Sequence, residues 1–196
     1  LAPSGRARSS RIASRLVGGI ANIKPTRLIA SHLQDLEETE KLKAKAKLIA
    51  YEENMVFYDD IYLFDDLLNE IKNKQFDFVV IDFVQNILFP NHSDEYSRLS
   101  RITIELQKLA KEINGCIMVL SQLSNSKARE GANSGNIEYR GSGTIAIACD
   151  LGMFIERDQE EPERIKFFIK KNRRGISHVV FENFKFVTPG GWIKEL

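Results

Sequence analysis

Apolar residues occur in this chain as two kinds of block: short continuous runs, and longer stretches in which they recur every three to four positions. "FDFVVIDF" (76–83) and "CIMVLSQLS" (116–124) belong to the first kind and predict strands buried on both faces. Between them "LSRITIELQKLAKEING" (99–115) predicts a helix, with Gly115 as its C-terminal cap. "LFDDLLNEIKNK" (63–74) predicts an amphipathic helix with Leu67, Leu68 and Ile71 on one side. "DLEETEKLKAKAKLIAYEE" (35–53) puts its acids before its lysines, as the helix macrodipole favours. "RIASRLVGGIANI" (11–23) has helical spacing that Gly18 and Gly19 weaken, and "NMVFYDD" (54–60) reads as a short strand. Further on, "GTIAIACD" (143–150) starts a helix. "LGMFIER" (151–157), "RIKFFIKK" (164–171) and "SHVVFENF" (177–184) then read as strands, and "GWIKEL" ends the chain.

Strands alternating with helices predict an α/β fold with a mostly parallel sheet, right-handed crossovers and helices on both faces. The last strands, joined by short polar turns, are expected to pair antiparallel at one edge. No repeat or linker divides the chain, which predicts one domain.

Composition alters this picture little. The 196 residues are 43% hydrophobic and 28% charged, as in an ordinary globular protein. Lys plus Arg (28) nearly balances Asp plus Glu (27), so net charge names no partner. The basic patches "SGRARSSRIASR" and "IKKNRRG" and the acidic "DQEEPE" suit a phosphate-bearing ligand, or simply solvated surface. Cys116 and Cys149 lie in apolar stretches and are expected to be buried, unpaired thiols in a reducing cytoplasm. No apolar run is long enough to span a membrane, and His32, His92 and His178 lack zinc-ligand spacing.

Asp82 raises the chemical question. A buried carboxylate costs several kcal/mol unless something pairs with it. In doubly wound sheets ligands bind beyond the carboxyl ends of the parallel strands, where Asp82 ends one strand and Ser121 and Gln122 end another. A magnesium–nucleotide there would supply the missing positive charge. Four apolar residues followed by Asp is also the second nucleotide-binding signature of P-loop ATPases, although a strand terminator gives the same pattern.

"VVIDFVQ", "MVLSQLS", "YRGSGTIAIACDLGMFIER" and "IKKNRRG" follow one another in an order and at a spacing that resemble the ATPase core of DnaB-type replicative helicases, a hexameric branch of the RecA-like fold. The resemblance runs from about Arg11 to the C-terminus. It implies a partial RecA-like P-loop NTPase domain over residues 11–196, with residues 1–10 a disordered or extraneous start. Asp82 matches the family's magnesium-coordinating Asp, and Gln85 a frequent glutamine of structural or DNA-proximal purpose. Gln122 matches the glutamine that senses the γ-phosphate; a neutral amide can hydrogen-bond phosphate on one side and backbone on the other. Arg140, Gly141, Ser142 and Gly143 match a loop gripping single-stranded DNA, although Gly141 replaces the family's usual Glu. Lys171 and Arg173 match the lysine and arginine finger extended into a neighbouring subunit's nucleotide site. Alternate residues of a strand share a side, so the two can address one phosphate; Lys170 and Arg174 compete for the roles at a one-residue shift of register. ATP and Mg2+ are the implied cofactors. Single-stranded DNA, a homo-hexamer, a helicase loader and primase are the implied partners, and the cytoplasm the implied location.

The sequence has no G-x-x-x-x-G-K-S/T loop to cradle the phosphates. The chain by itself is therefore expected not to turn over ATP, with the phosphate loop lying upstream in a longer parent. Three alternatives stand beside the helicase reading: a non-catalytic RecA-like module binding DNA or protein, a recombinase-type ATPase, and a metal-dependent nuclease built on Asp82, Asp94, Glu95 and Asp150.

Overall fold

The computed structural model describes residues 6–30, 35–49, 54–90, 94–122, 143–189 and 191–196. They form two compact units: Ile61–Glu156 with Phe167–Phe181, and Leu1–Asp60 with Arg157–Lys166 and Glu182–Leu196.

The unit beginning at Ile61 carries the candidate site. Its first helix, α4 (Phe64–Lys74), has Asp65 and Asp66 in the first turn and Lys72 and Lys74 in the last, both favourable to the dipole. Gln75 ends it in a left-handed conformation (φ 53°), its N–H donating to Ile71 O at 3.2 Å. Strand β1 (Phe78–Ile81) follows, then a 3-10 turn at Val84–Asn86. Helix α5 (Glu95–Glu112) begins earlier than the apolar pattern suggests, because Asp94 caps it by accepting from Ser97 N–H at 2.7 Å. Its buried face, Leu99, Ile102, Thr103, Leu106 and Leu109, packs with Phe64, Ile71, Ile81, Val84, Ile87 and Ile145 into one core. Strand β2 (Cys116–Val119) pairs parallel to β1, with Phe78 opposite Cys116 and Ile81 opposite Val119. Helix α6 (Gly143–Ala148) packs on α5 and leads into β3 (Leu151–Arg157) and β4 (Arg164–Asn172).

In the other unit, helices α1 (Arg6–Ala21), α2 (Pro25–Ala30) and α3 (Asp35–Ile49) enclose a small core of Val17, Ala21, Ile23 and Ala44. Helix α1 continues through Gly18 and Gly19. A Cβ at Gly18 would lie 2.6 Å from Ile23 O, so glycine is what allows the chain to fold back there. β5 (Val179–Val187) pairs antiparallel with β6 (Trp192–Glu195), Phe184 standing opposite Glu195 and Val187 opposite Trp192. The Trp192 indole N–H donates to Gly19 O. In the β3–β4 turn, backbone N–H groups of Glu161 and Glu160 donate to Asp158 and hold its carboxyl below its ordinary pKa.

Four expectations are corrected. Residues 55–58 form no strand: Met55, Val56, Phe57 and Tyr58 are exposed, and among the described residues they join no strand ladder. Among the described residues the β1–β2 pair is covered on one face only. Val79, Ile81, Ile117 and Val119 face the core, whereas Phe78 and Val80 are 54% and 51% exposed and Met118 is open beside them. Cys116 shares that open face and is exposed, and Cys149, just past α6, is half-buried; both are free thiols but neither is a core residue. Finally, the left-handed residue after α5 is Asn114 (φ 51°), not Gly115.

Gly115 is required for a different reason. A Cβ there would sit 2.9 Å from Phe76 O and 3.1 Å from Asp77 O, where Cys116 N–H joins Asp77 O to open the parallel pairing. Backbone on both sides leaves little room to yield. Gly115→Ala is expected to cost about 1–3 kcal/mol, seen as a lower urea midpoint at unchanged slope; a wild-type midpoint would contradict it.

Candidate functional site

Because β1 and β2 run parallel and in register, their carboxyl ends open on one edge. Leu120 N–H donates to Ile81 O at 2.9 Å and Val84 N–H to Leu120 O at 3.0 Å, so the chain leaving β1 is stitched to the chain leaving β2. Asp82 is the first residue past β1; its side chain is exposed and, among the described residues, makes no hydrogen bond or ion pair. The cost of burying this carboxylate never arises: the strand ends one residue before it, and an unengaged hard oxygen donor faces water, as a magnesium ligand requires.

Gln85, in the 3-10 turn, ties this edge together. Its Nε2 donates to Ser121 Oγ at 2.9 Å, its Oε1 accepts from Gln122 N–H at 3.4 Å, and its backbone O accepts from Arg98 Nη2 at 3.3 Å. Asp82 and Gln122 thus follow the paired strand ends on the same edge, and Gln85, three residues past Asp82, holds the Gln122 N–H through its half-buried side-chain amide. The resemblance had left the purpose of Gln85 open; geometry makes it the brace between the two strand ends.

Lys171 and Arg173 also come together, at the C-terminal end of α6. Lys171 Nζ donates to Ala146 O and Ile147 O, each at 2.7 Å. Arg173 Nη2 donates to Ile147 O and Nη1 to Asp150 Oδ1, each at 2.8 Å. Gln107 Nε2, from α5, takes Ala148 O at 2.7 Å. The carbonyls that a helix leaves unpaired at its end are thereby satisfied by side chains. Of their competitors, Lys170 Nζ lies 5.6 Å from the Phe168 ring centre, and the backbone N–H of Arg174 donates to Asn172 Oδ1 at 3.2 Å. Sequence reading did not find Asp150 as the partner of Arg173, since the pair is 23 residues apart and meets only through the β3–β4 reversal.

Of the expected DNA loop, Arg140, Gly141 and Ser142 lie outside the described residues, and Gly143 is the first residue of α6. The carboxylates of the nuclease reading do not gather: Asp94 caps α5, Asp150 pairs with Arg173, and no group of three His, Cys, Asp or Glu able to hold a metal occurs among the described residues. No helix among the described residues is long and apolar enough to cross a membrane.

Comparison with known proteins agrees with the four-motif pattern. The family described as DnaB-like helicase C terminal domain matches residues 4–187. The chain is 24% identical over 178 residues to the replicative DNA helicase DnaB of Buchnera aphidicola, covering 87% of this chain and 37% of that protein. It is 25% identical over 181 residues to the Haemophilus influenzae DnaB, covering 85% and 39% respectively. A probable plasmid replicative DNA helicase of Chlamydia trachomatis is 26% identical over 173 residues, covering 85% and 38%. The chain therefore spans under two fifths of the length of these relatives.

Proposed function

Because the chain belongs to the DnaB-like helicase C-terminal domain family, whose fold is RecA-like, we propose that it is the carboxyl-side part of an ATP-dependent replicative DNA helicase. Such a protein unwinds duplex DNA by translocating on one strand. The observation that carries this reading is the shared rim of Asp82 and Gln122, braced by Gln85. In the proposed whole, residues 11–196 are part of one ATPase domain, in which β1 and β2 belong to a larger, mostly parallel sheet.

Asp82 would hold Mg2+, which when bound offsets the negative charge of the triphosphate. Gln122 reports the γ-phosphate through its amide, and the Gln85 brace transmits its position to the end of β1. Lys171 and Arg173 reach a neighbour's site in a ring of six. A planar guanidinium beside a point-charge ammonium stabilises charge developing in phosphoryl transfer. Arg140 and the backbone around Gly141, Ser142 and Gly143 hold single-stranded DNA by its phosphates. A helicase loader and primase are the proposed protein partners, and the cytoplasm the proposed location. Without a Gly-Lys-Ser/Thr loop, this chain alone does not hydrolyse ATP.

A second reading, a non-catalytic module binding DNA or protein, draws on one observation: Lys171 and Arg173 are occupied within their own chain. Displacement of a labelled strand from a forked duplex, by a form carrying the phosphate loop, separates the two. The helicase reading expects release that needs ATP and Mg2+ and is lost in Asp82→Ala. Nucleotide-independent DNA binding with no strand release would support the module.

A further inference from the structure

We propose that Asp150 and the C-terminal carbonyls of α6 form a latch that stores the Lys171–Arg173 pair, so that a phosphate ligand must compete for these cations before they can act on it. The inference rests on the proposed role of the pair and adds its regulation.

The contacts are numerous and mutually consistent. Five bonds end on this one cluster: two from Lys171 Nζ, two from the Arg173 guanidinium, and Arg173 N–H to Asp150 O at 2.9 Å. Ile147 O accepts from both cations, and this holds the two side chains side by side. That is also the arrangement in which two cations can share one phosphate. Storage therefore preserves the geometry needed for use, and the groups have only to change acceptor.

The backbone bond from Arg173 to Asp150 anchors the tip of the β4–β5 connection, so a phosphate can draw off the side chains without unfolding the turn. Arg173 and Asp150 side chains are 44% and 61% exposed, which leaves the ion pair open to a phosphate arriving from solvent. A pair this exposed is screened and weak, contributing about 0.2–1 kcal/mol. Such a latch biases the cations without locking them. It also discriminates against weak anions: a lone monovalent anion offers less than the carboxylate and carbonyls together, whereas a polyphosphate offers several charged acceptors at once.

Asp150 is thus a positioning residue that touches neither nucleotide nor DNA. The 196-residue chain can be titrated with inorganic triphosphate as wild type, Asp150→Asn and Asp150→Asn/Arg173→Ala. Asp150→Asn is expected to bind about two- to fivefold more tightly than wild type at low salt, the factor that removing the exposed pair corresponds to. The gain should shrink as salt rises, and the double variant should lose it. Equal or weaker binding by a folded Asp150→Asn would overturn the latch.

Should that variant not fold, the carboxyl 13C signal of Asp150 in wild type provides the second readout. It is expected to move as triphosphate saturates the chain, and an unmoved signal overturns the proposal. A failed latch leaves the dependence of ATP turnover on Arg173 intact. A failed helicase reading removes that dependence and leaves the triphosphate titrations unchanged.

Discussion

Arg173→Ala is expected to lower ATP turnover at least about a thousandfold in a form of the protein that carries the phosphate loop, the lower end of what an arginine finger contributes. Nucleotide affinity should stay near wild type, because in the proposed role the guanidinium acts on a neighbour's triphosphate as charge develops and adds little to ground-state binding. Lys170 is directed to the Phe168 ring and so does not stand in for Arg173. Lysine at 173 would rescue charge but not the two-pronged contact now made to Ile147 O and Asp150. Steady-state turnover and equilibrium binding of ATP, measured on the same preparation, check the split. Lost affinity with the turnover of bound nucleotide preserved would mean that Arg173 serves its own subunit.

The largest stability effect is expected at Phe64. It is 1% exposed, its ring lies 5.1 Å from that of Phe89, and its N–H donates to Leu88 O at 2.9 Å. Phe64→Ala should cost about 3–5 kcal/mol through lost transfer energy and the cavity left behind. The loss would reach the site as well. Val84 and Ile87 belong to the same core, and Gln85 lies between them, so a slackened core frees the brace that holds Gln122. Phe78→Ala supplies the internal control: on the open face of β1 its ring is half exposed, and its removal should cost under about 1 kcal/mol. Chemical denaturation of the two variants should show the difference, and equal losses would contradict this division of the faces.

The open face of β1–β2 also shows what sequence could not convey. Continuous apolar runs predict burial on both sides, and Phe78, Val80 and Met118 fit that pattern, yet nothing among the described residues covers them. Composition records what a strand is suited to bury against, not whether the covering element is present. "NMVFYDD" misled similarly, because strand propensity has no effect without a ladder to join. Helices were easier to read: α4 and α5 carry local signals in their charges, caps and spacing. Even so, α5 gained a turn once Asp94 proved to be its cap.

For the site, order along the chain was what put forward Asp82, Gln122, Lys171 and Arg173 as candidates. The parallel register then accounts for the first two sharing a rim. What sequence left open were the contacts of two residues it had named, Gln85 between two strand ends and Asp150 beside Arg173. Each acts through a contact distant in sequence, and a lone Gln or Asp has no local pattern that announces such a contact.

The most direct measurement is paramagnetic broadening by Mn2+–ATP in an isotope-labelled form carrying the phosphate loop. The predicted result is joint loss of the Asp82, Gln85 and Gln122 signals, with Asp77 and Gly115 at the opposite end of β1–β2 left sharp. Broadening centred on Gly115, or reaching Asp82 while sparing Gln122, would contradict a triphosphate site on their common rim.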